Sequence, residues 1–107
     1  MVEPSGSIVR ICVADMLLHY GEDSQIDVAI EEMSELTKEL VKYKRSKVHF
    51  REKLATSKEK VLDEMADVSF MMEYLRVIFQ ISDDEIKKRV EEKAARTLER
   101  YVGDMYQ

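Results

Sequence analysis

Apolar residues return at three- and four-residue steps along most of the chain, the spacing of amphipathic helices. Residues 1–6, with Pro4 and Gly6, read as a short tail. Ser7 is placed to cap a first helix that carries Ile8, Ile11, Cys12, Met16 and Leu17, and Gly21 suits the position after its last turn. Asp23 and Ser24 are candidate caps for a second helix reaching about Lys44, with Ile26, Ala29, Ile30, Met33, Leu36, Leu40 and Tyr43 along it. From Arg45 to Ala55 the periodicity fades while Arg45, Lys47, Arg51 and Lys53 accumulate, so residues 45–56 are expected to form a connector.

Thr56 with Glu59 matches a capping box and opens a third helix, which runs to about Gln80 through Val61, Met65, Val68, Met72, Leu75 and Phe79. Phe70, Met71, Tyr74, Val77 and Ile78 lie outside that seam. A helix apolar on several sides must be covered on several sides, as a central helix or at a subunit interface. Ser82 with Glu85 forms a second capping box before a fourth helix through Ile86, Val90, Ala94, Leu98 and Tyr101, which Gly103 can end. The expected fold is all-α, four helices in a single domain over residues 1–107.

Composition narrows this little further. One proline and three glycines among 107 residues, 36% of them charged, favour helices. A domain of this size buries about two-thirds of its unfolded surface, so association with other copies would help it. The net charge of −5 argues against a nucleic-acid binder, which needs a basic face. A lone cysteine, Cys12, reads as a core residue. The first apolar stretch is broken by Arg10 and Asp15, so neither a signal peptide nor a membrane span is expected, and a cytoplasmic protein is the default.

The informative residues are acids in the wrong place. Glu32 and Glu35 on the second helix, and Glu64 and Asp67 on the third, are pairs three residues apart, about 60° around a helix axis. Each pair can aim its oxygens at one point. Glu64 falls in the arc of Val68, Met71 and Leu75; Asp67 falls between Ile78 and Tyr74; Glu32 sits at the shoulder of the core stripe and Glu35 points further out. Burying unpaired carboxylates is costly, and the mutual repulsion of two facing pairs would be comparable to the stability of a small domain. Such a cluster needs a cation. An oxygen-only donor set suits Mg²⁺, with Mn²⁺ as a possible substitute, because iron carboxylate bundles add histidines at fixed spacing and His19 and His49 lie elsewhere. The bland alternative is four solvated charges on amphipathic helices.

Glu31-Glu32-Met33-Ser34-Glu35-Leu36 followed, after an interval, by Asp63-Glu64-Met65-Ala66-Asp67-Val68 resembles the MazG-like all-α nucleoside triphosphate pyrophosphohydrolases, whose signature is Glu-x-x-Glu and then Glu-x-x-Asp; here 28 residues intervene. The resemblance runs from about His19-Tyr20-Gly21 through Gln25-Ile26-Asp27 to the fourth helix. It implies that Glu32, Glu35, Glu64 and Asp67 bind Mg²⁺ and that water attacks the α-phosphorus of a (d)NTP, releasing pyrophosphate. It also implies a homodimer or homotetramer whose sites are built near helices of more than one subunit, and a part in clearing surplus or modified nucleotides. Glu35 is the candidate base, with Glu39 one turn on as another. Lys93-Ala94-Ala95-Arg96 matches a basic Lys-x-x-Arg pattern of the family's last helix, which implies phosphate contacts from Lys93 and Arg96; Thr97 stands where some members have a further arginine. Related readings within the superfamily are phosphoribosyl-ATP pyrophosphohydrolase and dUTPase or dCTPase. The reading from another class is a non-catalytic helical oligomer.

Overall fold

The computed structural model describes residues 4–105, which form four helices and, among the described residues, no strand. They are α1 (Pro4–Tyr20), α2 (Glu22–His49), α3 (Leu54–Phe79) and α4 (Asp83–Met105), with one turn of 3-10 helix, Arg51–Lys53, between α2 and α3. No helix among the described residues is long and apolar enough to cross a membrane.

Helix ends depart from the expected caps in instructive ways. α1 begins at Pro4, whose fixed φ and missing N–H suit the first helical position, so Ser7 lies inside the helix and residues 4–6 of the expected tail are helical, while residues 1–3 lie outside the described part. Gly21 closes α1 with its N–H on the Leu17 carbonyl at 2.9 Å, and its φ of 87° lets the same residue open α2. Neither Asp23 nor Ser24 is therefore the cap of α2; both lie within its first turn.

The expected connector over 45–56 is also mostly helical. α2 continues to His49 and α3 starts at Leu54, which places the Thr56–Glu59 pair inside α3 rather than at its cap. The stretch contains no glycine or proline, so good helix formers extend both helices even where apolar periodicity lapses. The Ser82–Glu85 box forms as expected: Ser82 N–H donates to Glu85 Oε2 at 2.7 Å and Glu85 N–H to Ser82 Oγ at 3.1 Å. Gly103 does not end α4, which runs on to Met105.

The chief packing is α2 against α3, an antiparallel pair. Its inward seam is not the most apolar stripe of either helix. On α2 the residues turned inward include Gln25, Ala29, Glu32, Leu36, Glu39, Tyr43 and Ser46, in alternating four-three steps, while Ile30, Met33, Leu40 and Val41 are exposed. On α3 the matching steps are Ser57, Val61, Glu64, Val68, Met71 and Leu75, with Met65, Met72 and Phe79 outward. A four-three repeat is the knobs-into-holes pattern of paired helices, and polar groups on such a seam fix register at a cost in stability. Here the Ser46 and Ser57 hydroxyls meet at 3.2 Å, buried.

α1 covers one end of this pair. Val13 from α1, Ala29 from α2, and Met71 and Tyr74 from α3 make the buried core, with Val9, Met16, Leu17, Val28, Phe70 and Leu75 packed around it. The Tyr74 hydroxyl lies 3.8 Å from Cys12 Sγ, and burial pushes its pKa up to about 12. That core is small. Among the described residues no large side chain is wholly withdrawn from solvent.

α4 packs against none of the other three helices. Its link to them is the junction after α3, where Gln80 adopts a left-handed conformation (φ 54°, ψ 46°) and Arg76 holds both Glu73 and Asp83. Val90, Leu98, Tyr101 and Met105 all lie open along it. The chain is correspondingly extended: its radius of gyration is 18.0 Å against the roughly 13 Å of a compact domain this long. It exposes 8957 Å², where a compact monomer of its mass would expose about 6,200 Å².

Candidate metal centre

One turn of α2 and one of α3 bring the acids together. Glu32, on the inward seam of α2, meets Glu64 on the seam of α3, and Asp67, three residues on, reaches in from the exposed edge of the same helix. One carboxylate oxygen from each of the three lies within 4.8 Å of the others. Glu32 and Glu64 are half-buried and Asp67 is exposed, so the group opens to solvent on the Asp67 side.

The electrostatics of this group are those of acids crowded without a counter-charge. Among the described residues no lysine, arginine or histidine forms an ion pair with Glu32, Glu64 or Asp67. Burial raises the pKa of Glu32 above its ordinary value, and the charges of Asp67 and Glu64 raise it further. Burial likewise raises Glu64, followed by the charges of Asp67, Glu35 and Glu39. Glu64 Oε2 is occluded and has no hydrogen-bond partner. An occluded, partnerless carboxylate oxygen facing two other acids is satisfied by a proton or a cation.

Of the four acids expected to converge, three do so. Glu35 is half-buried and within electrostatic reach of Glu64, but its oxygens are not part of the close group.

Glu39 is the residue whose place the spacing understated. It is 9% exposed, the most buried carboxylate on α2, and its Oε2 also lacks a partner while Lys42 holds Oε1 at 3.4 Å. The available signal was that Glu32 and Glu39 are seven residues apart, two turns on one seam. Reading the seam from its apolar members alone hid it.

Lys93 and Arg96 are not brought to the acids within one chain. They are exposed on α4, where with Thr97 and Arg100 they line a shallow depression, and α4 stands clear of α2 and α3. Gln25 is buried in the α2 seam, while His19 is exposed with its ring edge-on to Tyr20 at 4.5 Å.

The donor set is three carboxylates, all hard oxygen, with an open side. It fits a small divalent ion such as Mg²⁺, which takes one or a few carboxylates and keeps positions for water and phosphate oxygens. Comparison with protein-family models, with curated proteins and with solved structures gives no match.

Proposed function

We propose that this chain is a Mg²⁺-dependent nucleoside triphosphate pyrophosphohydrolase, converting a (d)NTP to a (d)NMP and pyrophosphate. The observation that carries the reading is the convergence of Glu32, Glu64 and Asp67 within 4.8 Å between two helices, with no basic side chain among the described residues paired to them. The paired motifs resembling those of the MazG-like enzymes support the same reading.

In this scheme Glu32, Glu64 and Asp67 hold the metal, with Glu35 beside them. The bound ion, with Mn²⁺ able to replace it, would supply charge neutralisation to the triphosphate and acidify a water. Glu35, not drawn into the close group, accepts that water's proton. The raised pKa of Glu64 is a property of the metal-free chain, and a cation in its place restores the ionised form.

The active form is a homodimer or homotetramer. The supporting observation is the surface left open: roughly 2,800 Å² more than a compact monomer shows, an amount typical of obligate interfaces. Stacking the outward apolar faces of α2, α3 and α4 on a second copy would cover it. In such an assembly a partner's α4 can carry the basic strip of Lys93 and Arg96 to the acids that its own chain leaves unaccompanied. The same open surface is what a non-catalytic helical oligomer would need, and activity separates the two readings.

The test is hydrolysis of a panel of standard and modified dNTPs with Mg²⁺, with products resolved by ³¹P NMR. Pyrophosphate with monophosphate is the expected outcome. Orthophosphate as the sole phosphate product, or no turnover of any member, would discard the reading.

A further inference from the structure

A second feature lies beside the acids and has the opposite sign. Where α2 turns into α3, a cavity of about 220 Å³ is lined by Lys42, Arg45, Lys53 and Lys60, with Glu39 at its wall. One water needs only ~10–15 Å³ of such space, so the cavity admits a polyatomic ligand. Four cations against one acid is a local excess of positive charge in a chain whose net charge is −5.

These cations are free to act. Among the described residues Arg45, Lys53 and Lys60 form no ion pair, and only Lys42 is engaged, by Glu39 at 3.4 Å. Lys53 is held with its Nζ over the Phe50 ring, 4.9 Å from the centroid, which positions the ammonium without neutralising it. The wall also contains the buried Ser46–Ser57 pair. Two hydroxyls have two protons, and their mutual hydrogen bond uses one; the other is left to donate to a ligand oxygen.

The location gives the ligand its chemistry. Lys60 precedes Glu64 by one helical turn, about 6 Å along α3, and Glu39, whose charge is felt at Glu64, lines the cavity. A row of linked phosphates spans that distance. One end would lie at the acids and the other among the lysines.

Resting on the pyrophosphohydrolase reading, we propose that this cavity is the subsite for the pyrophosphoryl group: the β- and γ-phosphates of the substrate, and afterwards the released pyrophosphate. Lys60 and Lys42 meet the nearer phosphate, and Arg45 and Lys53 the terminal one. The subsite belongs to a single chain and needs no residue of α4.

The experiment is calorimetric titration of inorganic pyrophosphate into the full-length chain in EDTA, with inorganic phosphate titrated in parallel. Arg45→Gln, Lys60→Gln, Lys93→Gln and Glu64→Gln are compared after circular dichroism has shown each to be folded. The wild type is expected to bind pyrophosphate at least tenfold more tightly than phosphate. Arg45→Gln and Lys60→Gln should each weaken it about tenfold, and each by more than Lys93→Gln or Glu64→Gln does.

Absence of binding, equal affinity for the two anions, or a loss confined to Lys93→Gln would each overturn the assignment. A chain that hydrolyses no triphosphate yet binds pyrophosphate through Arg45 and Lys60 retains the subsite and loses the proposed reaction. Conversely, turnover in which Lys60→Gln changes neither KM nor inhibition by added pyrophosphate retains the reaction and loses the subsite.

Discussion

Glu39 and Glu64 lie on the facing seams of α2 and α3, and each hides one oxygen, Oε2, from solvent with no donor to meet it. Glu39 is close enough to raise the pKa of Glu64. Two acids so placed destabilise the pair of helices that presents them, and most of what can be tested follows from relieving that strain.

A divalent cation should stabilise the fold. Ligand present at a hundred times its Kd adds about 2.7 kcal/mol of stability to the state that binds it. Millimolar Mg²⁺ or Mn²⁺ should therefore raise the Tm by several degrees in a thermal melt, relative to an equal ionic strength of NaCl. An identical Tm in the two salts would remove the metal from the centre.

The pH dependence has a definite sign. Glu32 and Glu64 have folded pKa values above the ordinary 4.5, so the folded state holds their protons more tightly than the unfolded one. Their contribution favours folding at low pH and is lost as pH rises from about 4.5 through the raised values. In EDTA, the stability of wild type relative to Glu64→Gln should fall over that interval, and Mg²⁺ should abolish the fall near neutrality. Urea melts at several pH values measure it; a stability difference that grows with pH would contradict the crowding of the acids.

Glu64→Gln and Asp67→Asn should separate activity from stability. Each removes a ligand charge, so hydrolysis should drop by more than the ~10–100-fold typical of losing a residue that only supports a ligand. In EDTA both variants should melt no lower than wild type, because each also removes repulsion. Normal turnover in either would show that the acids are not the reaction centre.

The extended shape predicts self-association. Sedimentation at tens of micromolar should give a multiple of 12.5 kDa. Leu98→Asp, on the open stripe of α4, should shift the distribution toward smaller species while helicity is kept. A wild-type chain sedimenting at 12.5 kDa throughout would leave the apolar faces unexplained by association.

Helix content and the reciprocal Ser82–Glu85 cap were legible in the sequence because each depends on local spacing, and the approach of Glu32 to Glu64 and Asp67 was legible from the two matched acidic motifs on consecutive helices. What was not legible depends on which face of a helix meets its neighbour. Ile30, Met33 and Leu40 mark the most apolar side of α2, yet the side that meets α3 carries Gln25, Glu32, Glu39 and Ser46. Pattern reading assigns the greasiest stripe to the interior of a single chain, an assumption that fails for an open helical pair with uncovered apolar faces. The basic residues from Arg45 to Lys53 looked like a loop for a related reason: two of them, Arg45 and Lys53, border a cavity, where no apolar repeat is needed.

Gln80 concentrates a different vulnerability in one position. Its left-handed backbone sets the heading of α4, an arm of 23 residues that no other helix braces. One extra residue between Gln80 and Ser82 would change the arm's heading while leaving every helix intact. Evolution of new assemblies from this chain thus has a cheap lever, since a change in loop length there re-aims an entire surface without unfolding anything.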